Sequence, residues 1–93
     1  MVKLKVGRNI IDIGENDLIL DNGACYQIIT KMIGYGFNKS IPIMSKKLFK
    51  DLKLTGLIFT NQALKQLCEK RYGKDANFSL WKFNIEKMQE LGY

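Results

Sequence analysis

Apolar and polar residues alternate from the first positions of the chain. Val2, Leu4 and Val6 are separated by Lys3 and Lys5, the period-two pattern of a strand with one face in the core. Gly7-Arg8-Asn9 can turn the chain into a short second strand over residues 10–13, and Gly14-Glu15-Asn16 can turn it again. The next stretch, DLILDNGACYQIIT over residues 17–30, holds two strand-like runs on either side of Asn22-Gly23. Asn and Gly both tolerate positive φ, so this pair predicts a two-residue type I′ hairpin. In that register Asp21 faces Ala24, Leu20 faces Cys25 and Ile19 faces Tyr26. One side of the ribbon then carries Ile19, Ala24, Tyr26 and Ile28, and the other Leu18, Leu20, Cys25 and Ile29. Both sides are apolar, so the ribbon must be covered on both, which makes it the expected centre of the fold.

The pattern changes after residue 30. Residues 33–43 (IGYGFNKSIPI) mix glycine with aromatics and read as a loop, or as the frayed end of a long hairpin. Ser45 then predicts the cap of a helix running to Leu54, with Gly56 as its stop. Leu48, Phe49 and Leu52 fall on one side of that helix; Lys46, Lys47, Lys50 and Lys53 fall on the other. Residues 57–60 are short and β-prone, either a strand or an apolar connector. Thr60 or Asn61 caps a second helix to about Tyr72, with Ala63, Leu64, Leu67 and Cys68 inward. Lys70 and Arg71 suit its last turn, and Gly73 ends it. Residues 78–83 (FSLWKF) form an aromatic strand. Asn84 caps a last short helix in which Ile85, Met88 and Leu91 point one way and Gly92 closes. The expected fold is α+β: a small antiparallel sheet of about four to six strands, beginning as an N-terminal meander, packed with about three helices.

With 93 residues, 46% of them hydrophobic and 26% charged, the chain has the size and composition of one globular domain. It has one proline, no Ser/Gly/Pro-rich run and no internal repeat. The longest apolar runs, residues 41–44 and 57–59, fall far short of the about 20 residues that cross a bilayer. The alternating N-terminus has no secretory hydrophobic core, so the expected location is cytoplasmic and no membrane is expected as a partner.

Reactive chemistry is sparse. The chain has no histidine, the commonest general base and the partner of serine and cysteine nucleophiles. Cys25 and Cys68 are far apart in sequence and belong to no paired motif, which suits reduced core residues better than a disulfide or a zinc site. Gly34-Tyr35-Gly36 lacks the third glycine and the helix start of a phosphate loop. Asp12, Glu15, Asp17 and Asp21 fall at strand ends and turns, where carboxylates are ordinary, and match no ligand loop. The expectation is a protein that is not an enzyme, with no cofactor and no metal.

The charge is more informative. The net charge is +6, and residues 31–60 hold six lysines against Asp51 alone, so most of the excess lies in the middle third. Like charges at i,i+4, as in Lys46–Lys50, repel, and an anion would offset that repulsion. Lys46, Lys47, Lys50 and Lys53, with Lys39, are therefore the candidate contacts to phosphates; the plain alternative is a solvated helix face. Tyr35 and Phe37 are candidates for stacking on unpaired bases, or for the core. The two helices around residues 55–60 also resemble a helix–turn–helix, with Gln62, Lys65 and Gln66 on a face that could read base edges, although the connector is long for that motif. The Lys-, Ile- and Asn-rich composition resembles small proteins of AT-rich genomes, including accessory proteins of bacterial phages and mobile elements. No motif accompanies that resemblance, and it transfers no residue.

The leading expectation is a small binding module that engages nucleic acid or a nucleoprotein complex through its basic middle segment. The alternatives are a helix–turn–helix DNA-binding protein and a phage-type inhibitor or adaptor. The latter would be steered by its charge to an acidic groove on a host enzyme. An open edge strand would also let two copies pair.

Overall fold

The computed structural model describes residues 2–30 and 43–93. Its elements are β1 (Val2–Val6), β2 (Asn9–Ile13), β3 (Asp17–Asp21), β4 (Tyr26–Thr30), β5 (Ile43–Met44), α1 (Lys46–Leu54), β6 (Ile58–Phe59), α2 (Gln62–Tyr72), β7 (Ser79–Phe83) and α3 (Ile85–Glu90). A single 3-10 turn, Lys74–Ala76, joins α2 to β7. The architecture is α+β, as the sequence implied.

β3 is the middle strand of a five-stranded antiparallel sheet of order β5-β4-β3-β7-β6. Its two edges are taken by β4 and β7, which explains its nearly continuous apolar run: Leu18, Ile19 and Leu20 are all buried. Successive side chains point to opposite faces, so the sheet has two cores. Ile19 and Ile28 join Met44, Phe83, α1 (Phe49, Leu52), α3 (Met88) and the hairpin residues Val2, Leu4, Val6 and Ile13 on one side. Leu18, Leu20 and Leu80 meet Leu64 and Cys68 of α2 on the other. The layers are therefore α2, then the sheet, then α1 with α3 and the β1–β2 hairpin.

Two expectations about the strands change. The N-terminal meander is broken, because β1 and β2 form a separate two-stranded sheet. With both edges of β3 occupied, β2 has no edge there to join. Instead the chain turns at Gly14, whose N–H donates to Asp17 Oδ2 at 2.7 Å. The hairpin turn is also shifted from its expected position. Asp21 pairs with Tyr26, Leu20 with Gln27 and Ile19 with Ile28, leaving Asn22, Gly23, Ala24 and Cys25 in the loop. Asn22 Oδ1 accepts from the N–H groups of Ala24 (3.0 Å) and Cys25 (2.9 Å), while Asp21 Oδ1 accepts from Gly23. The Asn22 N–H also donates to the Cys25 carbonyl at 3.3 Å, which closes the loop. The shift from the expected register is two residues, so each residue kept in a strand stays on its expected face. Cys25 leaves the ribbon for the loop and is half-buried there.

The helices follow their caps. Ser45 Oγ accepts from the Leu48 N–H (3.1 Å), Asn61 Oδ1 from Leu64 (2.9 Å) and Asn84 Oδ1 from Lys87 (3.1 Å). α1 ends in a Schellman motif: the Gly56 N–H donates to the Lys53 carbonyl and the Leu57 N–H to the Leu52 carbonyl. Gly56 takes φ +74°, the left-handed conformation that motif requires. Of residues 57–60, Ile58 and Phe59 form the strand β6, and the residues on either side of it anchor it. The Asn84 N–H donates to the Leu57 carbonyl (2.8 Å), and Thr60 Oγ1 donates to the Leu80 carbonyl (2.8 Å). Ala63 and Leu91, expected inward, are exposed. Ala63 lies off the Leu64–Cys68 line of α2, and Leu91 stands at the C-cap of α3, past the residues that pack.

Candidate anion-binding face

α1 carries the basic face. Phe49 and Leu52 anchor it to the sheet, Leu48 is half-buried, and Lys46, Lys47, Lys50 and Lys53 are exposed. Lys46, Lys50 and Lys53 follow one ridge, and at a rise of about 1.5 Å per residue they span roughly 10 Å of helix. Lys47 stands beside them. The first turn holds no acidic residue. Two lysines there oppose the positive end of the helix dipole, a placement that disfavours the free helix and that a bound anion reverses. No lysine of α1 forms an ion pair among the described residues; the pair found there, Lys3–Asp12 at 2.8 Å, joins β1 to β2.

The inner flank of α1 is aromatic. The Phe49 ring stacks on Tyr26 of β4, with centroids 4.1 Å apart and planes 12° from parallel. It meets Trp81 of β7 edge-on at 5.4 Å and 89°. Lys53 Nζ lies over the Trp81 ring, 5.4 Å from its centroid, and the Trp81 indole N–H donates to Ser79 Oγ at 3.2 Å. The lysine stripe therefore adjoins a half-buried tryptophan whose ring is fixed by two neighbours. Sequence reading missed this contact. The local trace of it was Phe49 and Lys53 at i,i+4 on one edge of the helix.

The other predicted site residues do not gather here. Lys39, Tyr35 and Phe37 lie outside the described residues. Gln62, Lys65 and Gln66 are exposed on α2, but α2 packs on the Leu18–Leu20 side of the sheet and α1 on the Ile19 side. β6 lies between the two helices and pairs with β7. The two helices are therefore not side by side in the manner of a helix–turn–helix. A strand inserted between the helices sends them to opposite faces, so the second cannot dock beside the first as a recognition helix.

Among the described residues, no three of His, Cys, Asp and Glu gather where they could hold a metal ion. Cys68 is buried on the inner face of α2, and burial, with the Glu69 carboxylate adding to it, pushes its thiol pKa up; that is the opposite of an activated nucleophile. A second surface is apolar. Ile10, Leu91 and Tyr93 are exposed around a shallow groove of about 540 Å³ that Lys3 and Lys5 also line. None of the described helices is long and apolar enough to cross a membrane. No protein-family model, curated protein or solved structure matches the chain.

Proposed function

We propose that this protein is a small non-enzymatic binding module whose α1 lysines engage a polyanion, either nucleic acid or the nucleic acid of a nucleoprotein complex. The observation that carries the reading is the set of four exposed lysines on α1, none of them in an ion pair among the described residues. Two of them stand in a first turn that has no acid. Each lysine that meets a phosphate releases a condensed counterion, and the favourable entropy of that release drives binding. Phe49 and Leu52 hold the helix to the sheet, so the four charges are presented on a fixed element and not on a mobile arm.

The test is retention on single- and double-stranded DNA and RNA at low salt by the natural chain and by a variant with Lys46, Lys47, Lys50 and Lys53 changed to Glu. The expected result is retention of the natural chain and loss by the variant, with an unchanged circular dichroism spectrum. Equal retention of both proteins would overturn the reading.

A second reading is a protein-binding inhibitor or adaptor aimed at a host protein with an acidic groove. Exposed Ile10, Leu91 and Tyr93, none of them on α1, favour it together with Lys3 and Lys5 alongside. The same variant separates the two. A partner protein captured equally by both forms supports this second reading.

A further inference from the structure

The anion-binding face ends at a tryptophan, and that end has a chemistry of its own. Phosphate contacts alone would treat every polyanion alike. Trp81 is the sole tryptophan of the chain. It is half-buried, its indole N–H is tied to Ser79 Oγ at 3.2 Å, and Phe49 packs edge-on against it at 5.4 Å. The ring is thus fixed before any ligand arrives, which lowers the entropy lost on stacking. Lys53 Nζ stands 5.4 Å from the ring centroid, and Lys53 is exposed, at the end of a long flexible side chain. An exposed cation over a ring is weakly held, and a phosphate close to α1 competes for it directly.

We propose that Trp81 is a stacking platform for one unpaired base of a single-stranded nucleic acid, with Lys53 exchanging the indole ring for the adjoining phosphate. In the free protein the Lys53 ammonium covers the ring. In the complex it pairs with the backbone, and the base takes its place on the ring while Lys50 and Lys46 follow the strand along the helix ridge. The ligand class is single-stranded because bases in a duplex are already stacked on one another and show only their edges in the grooves. A π-face is common to all four bases, so the site selects unpaired strands without selecting sequence. This inference rests on the polyanion reading of α1 and narrows it to one ligand class.

The experiment is a fluorescence titration of the natural chain, in which the sole tryptophan is the reporter. The probes are a short oligothymidylate, a hairpin duplex of DNA and inorganic polyphosphate, all in the same low-salt buffer. The expected result is tryptophan quenching by oligothymidylate, with the duplex and polyphosphate binding without comparable quenching. Trp81→Leu should weaken oligothymidylate binding by about tenfold, within the range that one base–aromatic stack supplies, and leave the other two probes unchanged. Trp81→Phe, which keeps a ring at the site, should retain most of the affinity. Equal quenching by all three probes, or no quenching by oligothymidylate while it binds, overturns the stacking site and leaves the polyanion reading standing. Equal weakening of all three probes by Trp81→Leu also overturns it, by giving Trp81 a purely structural role. Binding of none of the three overturns both readings. The titration of the natural chain requires no variant to fold.

Discussion

Replacing Gly56 by alanine tests how the basic helix is terminated. Gly56 has φ +74° and closes the Schellman motif of α1. A residue with a Cβ in the left-handed region loses roughly 1–2 kcal/mol. A Cβ there would also lie 2.9 Å from Lys87 Nζ, the free end of an exposed side chain, which can step aside at little cost. Alanine also restricts the unfolded chain, which returns about 0.4–1 kcal/mol to the folded state. The net loss is about 1 kcal/mol, and a domain of this size loses roughly 4–8 °C of Tm for each kcal/mol. Gly14→Ala is the matched control. Gly14 has no positive φ, and its Cβ would meet Asp17 Oδ2 at an ordinary 3.7 Å, so this variant should melt at or slightly above the natural chain. Thermal unfolding followed by circular dichroism reads both. A Gly56→Ala protein as stable as the natural chain, or a Gly14→Ala protein equally destabilised, would refute the assignment of α1's end to a left-handed glycine.

Three further outcomes follow from the packing. Phe49→Ala should cost about 3–5 kcal/mol, a large part of the roughly 5–14 kcal/mol expected for a domain of this length, because it empties a buried site between Tyr26 and Trp81. Phe49→Leu keeps most of the apolar area and should cost about 1–3 kcal/mol for the two ring contacts it removes; urea unfolding measures both variants. In native protein one thiol, the half-buried Cys25, should react with a disulfide reagent at once, and buried Cys68 should react when the chain is unfolded. Burial of the Cys68 thiol also sets a pH dependence. Its pKa in the folded state is raised, so the unfolded chain ionises first, near pH ~8.5. The stability contributed by the protonated thiol is fully present below that pH and falls as pH rises toward the folded-state pKa. Cys68→Ala should lose less stability over that alkaline range than the natural chain, and identical pH profiles would contradict the assignment.

The helices were legible in the sequence because their ends are decided locally. Ser45, Asn61 and Asn84 cap with their own side chains, and Gly56, Gly73 and Gly92 stop the chain with positive φ. The location of the central hairpin was legible too, and so were its two apolar faces. Its register was not, because the loop is set by backbone N–H groups of Gly23, Ala24 and Cys25 that donate to the Asp21 and Asn22 side chains, local bonds that compete with the expected turn. The separation of β1–β2 was hidden for another reason. It depends on β7 returning to occupy the second edge of β3, a pairing with some sixty residues of intervening chain and no local signal. The same return places Trp81 beside α1. Hence the lysine stripe could be read from helical periodicity, while the Lys53–Trp81 contact and the Tyr26–Phe49–Trp81 cluster could not. The placement of α2 was hidden for a related reason: residues 57–60 read equally as a strand or a connector, and as the strand β6 they send α1 and α2 to opposite faces of the sheet.

The claim that the α1 lysines bind phosphates is tested most directly by the salt dependence of binding. For four phosphate contacts, log K should fall against log salt with a slope of roughly −3 on a single strand and roughly −3.6 on duplex DNA. With Lys46, Lys47, Lys50 and Lys53 changed to Gln, the same titration should give a slope near zero and little affinity even at low salt. A natural chain that shows no binding at low salt, or binding that does not weaken as salt rises, would contradict the account.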